Sequence, residues 1–387
     1  MKFLLLTQKP PFPVVDGGTY AMTSFLKSLK KIGSVDALVI ETVKHPLTPH
    51  AKVQLAKSCN SVDSVFCNTS LSFSKFATSL FMGKSYLLNR FYSRSFEQKL
   101  IEKLKNNYDY IVFDGLFSAS PLFFGTFDNL PAIAVRMHNV ESEIWKHKKD
   151  NTNNPLKKWV ISYLQKHLLK AEKTIFQKAD KLFAISNEDL KVAKSWVSNP
   201  QKVSLLPVSV DVPIEFEPDY TVRNFFHLGA MNWTPNYEAV SYLIHRVWSD
   251  KRLQDISLLI AGENAKPFET RSNIQQLGWI SNLNEFYKSA GVLVSPIRSG
   301  SGIRIKLLDA MAHGIPCITT RLGAAGIDCE KAGILLAENE SDFIKHILQI
   351  SENPSLRKEL GQKAKLYMQE YHNFEQITTQ LSAQFGS

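Results

Sequence analysis

At 387 residues the chain exceeds what one ordinary core holds and fits two domains of roughly 150 to 200 residues each. Hydrophobic residues at 44% and charged residues at 21% exclude a disordered chain and a membrane-embedded body. The net charge of +10 is lopsided: residues 1–210 hold 29 Lys and Arg against 16 Asp and Glu, a net of +13, and the remainder holds 17 against 20, a net of −3. Either the front half meets an anionic partner, such as a membrane surface or a nucleic acid, or it carries Lys-rich solvated helices.

In chain order, Lys2 to Thr7 reads as a strand, Pro10 to Gly18 as a loop, and Thr19 to Lys31 as a helix with Met22, Phe25, Leu26 and Leu29 on one face. The opening apolar run is too brief for a signal peptide or a membrane span. Further strands are expected at Val35 to Ile40, Tyr110 to Phe113, Ala132 to Arg136 and Lys181 to Ile185, with helical patterns between them. The segment Pro207 to Pro218 reads as a linker. The same grammar then restarts with strands at Phe225 to Leu228, Ser257 to Ala261, Ile274 to Leu277, Gly291 to Ser295 and Pro316 to Thr319. Alternating strands and helices imply parallel, doubly wound sheets. The expected fold class is therefore α/β, two Rossmann-like domains facing across a cleft, with residues 1–210 as the first domain and 211–370 as the second. Ser355 to Phe385 reads as one amphipathic helical segment, and residues 371–387 as a helix that returns to the first domain.

Cys59, Cys67, Cys317 and Cys329 form no C-x-x-C pair and lack His at zinc spacing, which argues for a reducing compartment without a metal framework. In open α/β sheets ligands collect at the carboxyl ends of strands, so the loops after each strand carry the candidate site. Asp16-Gly17-Gly18 offers bare backbone ahead of a helix, or a plain helix entry. Arg136-Met-His138-Asn139-Val-Glu141 sets an imidazole, an amide and a carboxylate after a buried strand, although His138 also fits a satisfied core histidine or a cap. Ser186-Asn187-Glu188-Asp189 reads as a helix N-cap with an acidic first turn. Gly229 and Asn232 follow the first strand of the second domain, beside Trp233, which equally reads as a packing residue. Gly262 and the Gly278-Trp279-Ile280 turn suit backbone contacts with a nucleoside. The richest stretch is Pro296 to Gly326. There Gly300, Ser301, Gly302 and Ile303 form a loop, Arg304 and Lys306 supply charge, and a helix start supplies free amides, together a seat for a diphosphate. Asp309, one turn past Lys306, can accept two ribose hydroxyls or pair with Lys306 on the surface.

These segments, with His313-Gly314-Ile315-Pro316, resemble those of a GT-B glycosyltransferase of family 4, a group of retaining, nucleotide-sugar-dependent enzymes, over nearly the whole chain. The resemblance implies that His138 lies near the donor hexose, Arg304 and Lys306 at the diphosphate, the Gly17 and Gly18 backbone near sugar and phosphate, and the Ile280 backbone near the base. His138, Arg304 and Lys306 are then the catalytic candidates. Gly17, Gly18, Gly229, Asn232, Gly262, Ile280, Ser301, Gly302, Ile303 and Asp309 are the donor-binding candidates, and Asp16, Asn139 and Glu141 lie on the acceptor side. Two departures stand out. The family's usual pair of glutamates corresponds to Ser301 and Asp309, and the Arg and Lys many members carry after the first strand of the second domain are absent.

The implied reaction is transfer of a hexosyl unit from a nucleoside diphosphate sugar to a hydroxyl of a glycan or polyprenyl-linked acceptor, with retention, in cell-surface polysaccharide or glycoconjugate synthesis. The chain has no D-x-D, the motif that holds a divalent ion across the diphosphate in metal-dependent transferases, so neither a metal nor a cofactor is expected. Between Leu71 and Leu104, apolar residues alternate with Lys75, Lys84, Arg90, Arg94 and Lys99, as in helices that lie on an anionic lipid surface. A cytoplasmic protein, peripheral on the inner face of the membrane, fits this pattern. No nucleic-acid motif accompanies the charge. The rival readings are a GT-B-shaped nucleotide-sugar epimerase and a catalytically weak nucleotide-sugar-binding protein.

Overall fold

The computed structural model describes residues 1–127, 129–263, 268–269, 271–300 and 304–386. The chain divides into two compact units, Met1–Val208 with Ile377–Ser387, and Ser209–Gln376.

The first unit is built on seven parallel strands: β1 Lys2–Thr7, β2 Ser34–Glu41, β3 Ser61–Phe66, β4 Tyr110–Asp114, β5 Ala132–Arg136, β6 Lys181–Ala184 and β7 Val203–Leu205. Their order is β3-β2-β1-β4-β5-β6-β7. Strand β1 shows why its sequence is apolar throughout. Side chains alternate across a strand, and here both faces are covered: Phe3 and Leu5 enter one core cluster while Leu4 and Leu6 enter the other. The helix Gly17–Ile32 buries the expected face, Met22, Phe25, Leu26 and Leu29. The last helix, Phe374–Phe385, gives Ile377, Leu381 and Phe385 to the first unit's core. The helical segment expected over Ser355 to Phe385 is two helices, Pro354–Tyr371 and Phe374–Phe385. The break falls where the Asn373 side chain accepts from the amides of Glu375 (2.9 Å) and Gln376 (3.3 Å), starting a new helix.

The second unit has six parallel strands: β8 Phe225–Leu228, β9 Leu258–Ala261, β10 Ile274–Gly278, β11 Val292–Ser295, β12 Cys317–Thr319 and β13 Leu335–Leu336. They run in the order β10-β9-β8-β11-β12-β13. Each sheet reverses its strand order once, between β1 and β4 and between β8 and β11, the places where such sheets open a crevice beyond their carboxyl ends.

Strands β3, β7 and β13 lie at sheet edges and escape the sequence pattern. Strand β3 interleaves Ser61, Asp63 and Ser64 with valines, and only Val65 is buried. Strands β7 and β13 span three and two residues. An edge strand has one neighbour and keeps polar residues, so the apolar run that reveals a central strand is missing.

Candidate active site

At the reversal of the first sheet, Asp114 closes β4 and Arg136 closes β5 in direct register. Asp114 Oδ1 accepts from Arg136 Nη1 at 2.7 Å and sits 2.7 Å from His138 Nε2. Asp114 is wholly buried and Arg136 is 2% exposed. Burial opposes the charge on Asp114, yet the Arg136 guanidinium and His138 hold its carboxyl below the ordinary value. Arg136 also lies over the Phe25 ring, 4.7 Å from its centroid. His138 is thus part of an ionic centre and is not a lone core imidazole.

Beyond His138 lies a group of carboxylates. The helix Glu141–Asp150 begins without a capping side chain of its own. Its first amides are taken instead by Glu172, from the long helix Pro155–Lys178, which accepts from the amides of Glu141 at 2.8 Å and Ser142 at 3.1 Å. Asp189 Oδ1 accepts from the Val140 amide at 3.0 Å, and Ser186 caps its own helix as the sequence suggests. Glu141 keeps part of its surface in solvent, yet its carboxyl is enclosed. Burial and then the adjacent Glu172 push it up to about 8, while burial pushes Glu172 up to about 7. Asn139 bonds with the Glu141 carboxyl.

Asp16 caps the helix Gly17–Ile32. It accepts from the Thr19 amide at 2.7 Å, Thr19 Oγ1 answers the Asp16 amide at 3.0 Å, and Lys9 Nζ pairs with the carboxylate at 2.7 Å. Gly18 packs its bare backbone against Asp16 and Lys9. The helix-entry reading therefore accounts for the Asp16 carboxylate, and Gly17 begins the capped helix.

The second unit assembles a different centre at the reversal between β8 and β11. Arg304 is the N-cap residue of the helix Ile305–Ala312, whose second residue is Lys306. Lys306 Nζ is 2.7 Å from Asn236 Oδ1 and 3.1 Å from His227 Nε2. His227 Nδ1 donates to the Val294 carbonyl at 3.0 Å, and Asn236 Nδ2 donates to the Ala230 carbonyl at 3.0 Å. Among the described residues Lys306 has no carboxylate partner. Burial, and then Arg304, holds its ammonium well below the ordinary lysine value. Arg304 itself is buried, donates to the Gly300 carbonyl at 3.0 Å, and lies 5.4 Å from the Trp233 ring centroid. Burial lowers it to about 10, so it stays charged at neutral pH. Trp233 packs beside Arg304 and against the position a Gly300 side chain would occupy.

Gly229 and Gly262 serve the protein's own packing. A side chain at Gly262 would collide with the Gly229 carbonyl, 2.1 Å away, and one at Gly229 with Asn236 Nδ2, 2.4 Å away. Both have positive φ, 123° and 157°. Asp309 makes no pair with Lys306. Its Oδ2 accepts from Tyr287 Oη at 2.7 Å and its Oδ1 is 3.8 Å from His313 Nδ1, with burial raising the carboxyl above its usual value. Asn232 is exposed and Ile280 half-buried, and neither touches this centre by a hydrogen bond. Ser301, Gly302 and Ile303 lie outside the described residues.

Arg304 and Lys306 lie together, and Asp114, Glu172 and His227, which no sequence pattern singled out, belong to the two centres. Asp114 carried a signal, a carboxylate directly ending the apolar run Tyr110 to Phe113 before Gly115.

Residues 222–353 match the family model described as glycosyl transferases group 1. The second unit carries a group 1 glycosyl transferase domain. A relative from Klebsiella pneumoniae, an uncharacterized 44.6 kDa protein in the cps region, is 24% identical, with 97% of each chain covered. Among solved structures, the chain is similar to sucrose-phosphate synthase from Thermosynechococcus elongatus (TM-score 0.69, 15% identity, 99% and 98% of the chains covered). It is also similar to S. aureus TarM, solved with fondaparinux, alpha-GlcNAc-glycerol and UDP (0.62, 13%, 100% and 100%). HepE from Anabaena, in complex with UDP and glucose, is a third (0.64, 11%, 99% and 98%). The fold shared with them is GT-B.

Proposed function

We propose that the chain transfers a hexosyl unit from a nucleoside diphosphate sugar to a hydroxyl of a glycan or polyprenyl-linked acceptor, with retention of anomeric configuration. The observation that carries this reading is the pair of buried basic side chains, Arg304 and Lys306, with no carboxylate on Lys306 among the described residues, at the switch point of the group 1 domain. Two desolvated basic groups suit a diphosphate, and the leaving diphosphate is where negative charge grows in the transition state. HepE and TarM, which share the fold, are described with UDP and sugars. The cps-region relative favours a role in surface polysaccharide synthesis.

In this mechanism the departing phosphate takes the acceptor proton on the same face of the sugar, so the protein supplies placement and charge stabilisation and no base. His138 is the group for the hexose, Gly17 and Gly18 for sugar and phosphate, and Asp309, through the oxygen that Tyr287 leaves free, for a ribose hydroxyl. The Ile280 backbone faces the base. No metal takes part.

A thermal-shift screen against UDP, GDP, ADP, dTDP and CMP with their sugar conjugates tests the donor, because a ligand of the folded state raises its melting temperature. A selective shift followed by transfer of radiolabelled sugar to a lipid-linked glycan is expected. Interconversion of free nucleotide sugars would identify an epimerase, and no shift with any compound would sink the donor assignment.

The acceptor side extends this reading to a membrane surface. Around the helix Phe73–Phe81, Phe76 packs on the core but other apolar side chains face outward: Phe81 is 94% exposed and Phe73 and Leu71 are 86% exposed, with Met82 also exposed. The cations expected to form a basic stripe are largely engaged. Lys99 pairs with Asp63 and Glu102, Arg90 donates to the Thr69 carbonyl, Lys75 to the Asn89 carbonyl, and Lys84 lies over Phe124. Support for lipid contact therefore comes from the apolar residues. Co-flotation with anionic vesicles that Phe73→Ser with Phe81→Ser abolishes is expected. Equal flotation of both proteins, or of neither, would remove the membrane from the proposal.

A further inference from the structure

His227 and Asn236 are each fixed as acceptors by their other bond. The Val294 carbonyl can only accept, so His227 carries its proton on Nδ1 and presents the lone pair of Nε2 to Lys306. Asn236 gives an N–H to the Ala230 carbonyl and turns Oδ1 to the same nitrogen. A neutral lysine amine has two N–H groups, which match these two acceptors, and keeps one lone pair.

The charged and titratable groups around Lys306 reinforce this match. Arg304, the N-cap of the same helix, repels a second positive charge. His227, from β8, is kept neutral, since burial and then Lys306 hold it well below the ordinary value. Asn236 brings no charge from the helix Thr234–Tyr242, where Glu238 instead accepts from Ser299 Oγ at 2.8 Å. Val294 brings none from β11. Asp309, one turn along the same helix, is bonded to Tyr287.

We propose that Lys306 is an amine switched by its ligand: uncharged when the site is empty, it takes up one proton from solvent as the donor's diphosphate arrives. His227 and Asn236 are the positioning residues that hold it ready. The added proton becomes the third N–H, given to a diphosphate oxygen, and Arg304 supplies the permanent charge. The inference rests on the donor reading above. Donor affinity then falls with rising pH. Above the free-state value of Lys306, each pH unit weakens binding about tenfold until the value in the complex is passed.

The test is calorimetric titration of the full chain with whichever of UDP-glucose, UDP-galactose, GDP-mannose and dTDP-glucose binds, from about pH 6 to about pH 8.5, in buffers of different ionisation enthalpy. Neither the phosphates nor the bases of these conjugates titrate in that range, so the buffer dependence counts protons gained by the protein. Uptake approaching one proton, with the accompanying pH slope, is expected for the native chain. Lys306→Met should bind more weakly and take up none. Asn236→Asp, which sets a carboxylate beside the amine and keeps it charged, should also lose the uptake. Binding without proton uptake across the range would overturn the switch and leave the donor reading standing, as would uptake that persists in Lys306→Met. Failure of every nucleotide sugar to bind would overturn the donor reading itself.

Discussion

The two units handle buried charge in opposite ways. In the first, Asp114 sits between Arg136 and His138, so the centre holds anion and cation together. In the second, Lys306 lies beside Arg304 and, among the described residues, has only the neutral acceptors His227 and Asn236. A buried ion pair is complete in itself, and losing one partner leaves an uncompensated charge. A buried amine among neutral acceptors, with Arg304 beside it, has no such internal pair and, in the proposal above, takes its charge only when an anion joins it. The difference separates a centre that holds an imidazole in place from one suited to a ligand's charge.

The largest effect should follow from Asp114→Ala, which strands the buried Arg136 and should cost about 3–5 kcal/mol of stability by chemical denaturation. A cost below about 1 kcal/mol would mean that the first centre does not depend on its internal pair. Next, Arg304→Ala should lower turnover by about 10²–10³ at saturating donor, in the range seen when one donor to developing charge is removed. Its melting temperature should fall less than that of Asp114→Ala, because the change also removes a buried charge that repels Lys306. A stability loss as large as that of Asp114→Ala would erase the contrast.

The carboxylates near His138 give a smaller, pH-dependent effect. Glu141 rises from an ordinary 4.5 to about 8 and Glu172 to about 7 in the folded state. The folded protein therefore binds more protons than the unfolded chain between those values, and stability should fall as pH rises from about 4.5 to about 8. A decline of about 2 kcal/mol across the upper part of that window, flattened in Glu141→Gln, is expected in denaturation midpoints. A chelator should have the smallest effect, leaving turnover within about twofold, if the protein's cations alone face the diphosphate. Full loss restored by magnesium or manganese would show that a metal shares their task.

Much of the fold was legible because central parallel strands are apolar on both faces. Phe3 to Leu6 announces β1 without any knowledge of its neighbours. The edge strands β3 and β13 were not legible, since half of what defines them is a partner strand. The site divides in the same way. Arg304 and Lys306 stood out because their chemistry is local, two cations after a glycine loop at a helix start. His227 reads from sequence as one more member of a buried strand, and its role comes from a lysine 79 residues away. Glu172 caps a helix that starts 31 residues earlier, a contact that no periodicity records. The Asp309 carboxylate accepts from Tyr287 rather than pairing with Lys306, a contact that the helical spacing could not show.

The nested glycines of the second unit have a consequence for inherited variation. The space a side chain would need at Gly262 is filled by the backbone of Gly229, and the space at Gly229 by the amide of Asn236, which in turn grips Lys306. A single added methyl at Gly262 would thus be transmitted inward, link by link, to the amine. An allele at that position would resemble an active-site lesion in its phenotype while lying two steps removed from the group it disables.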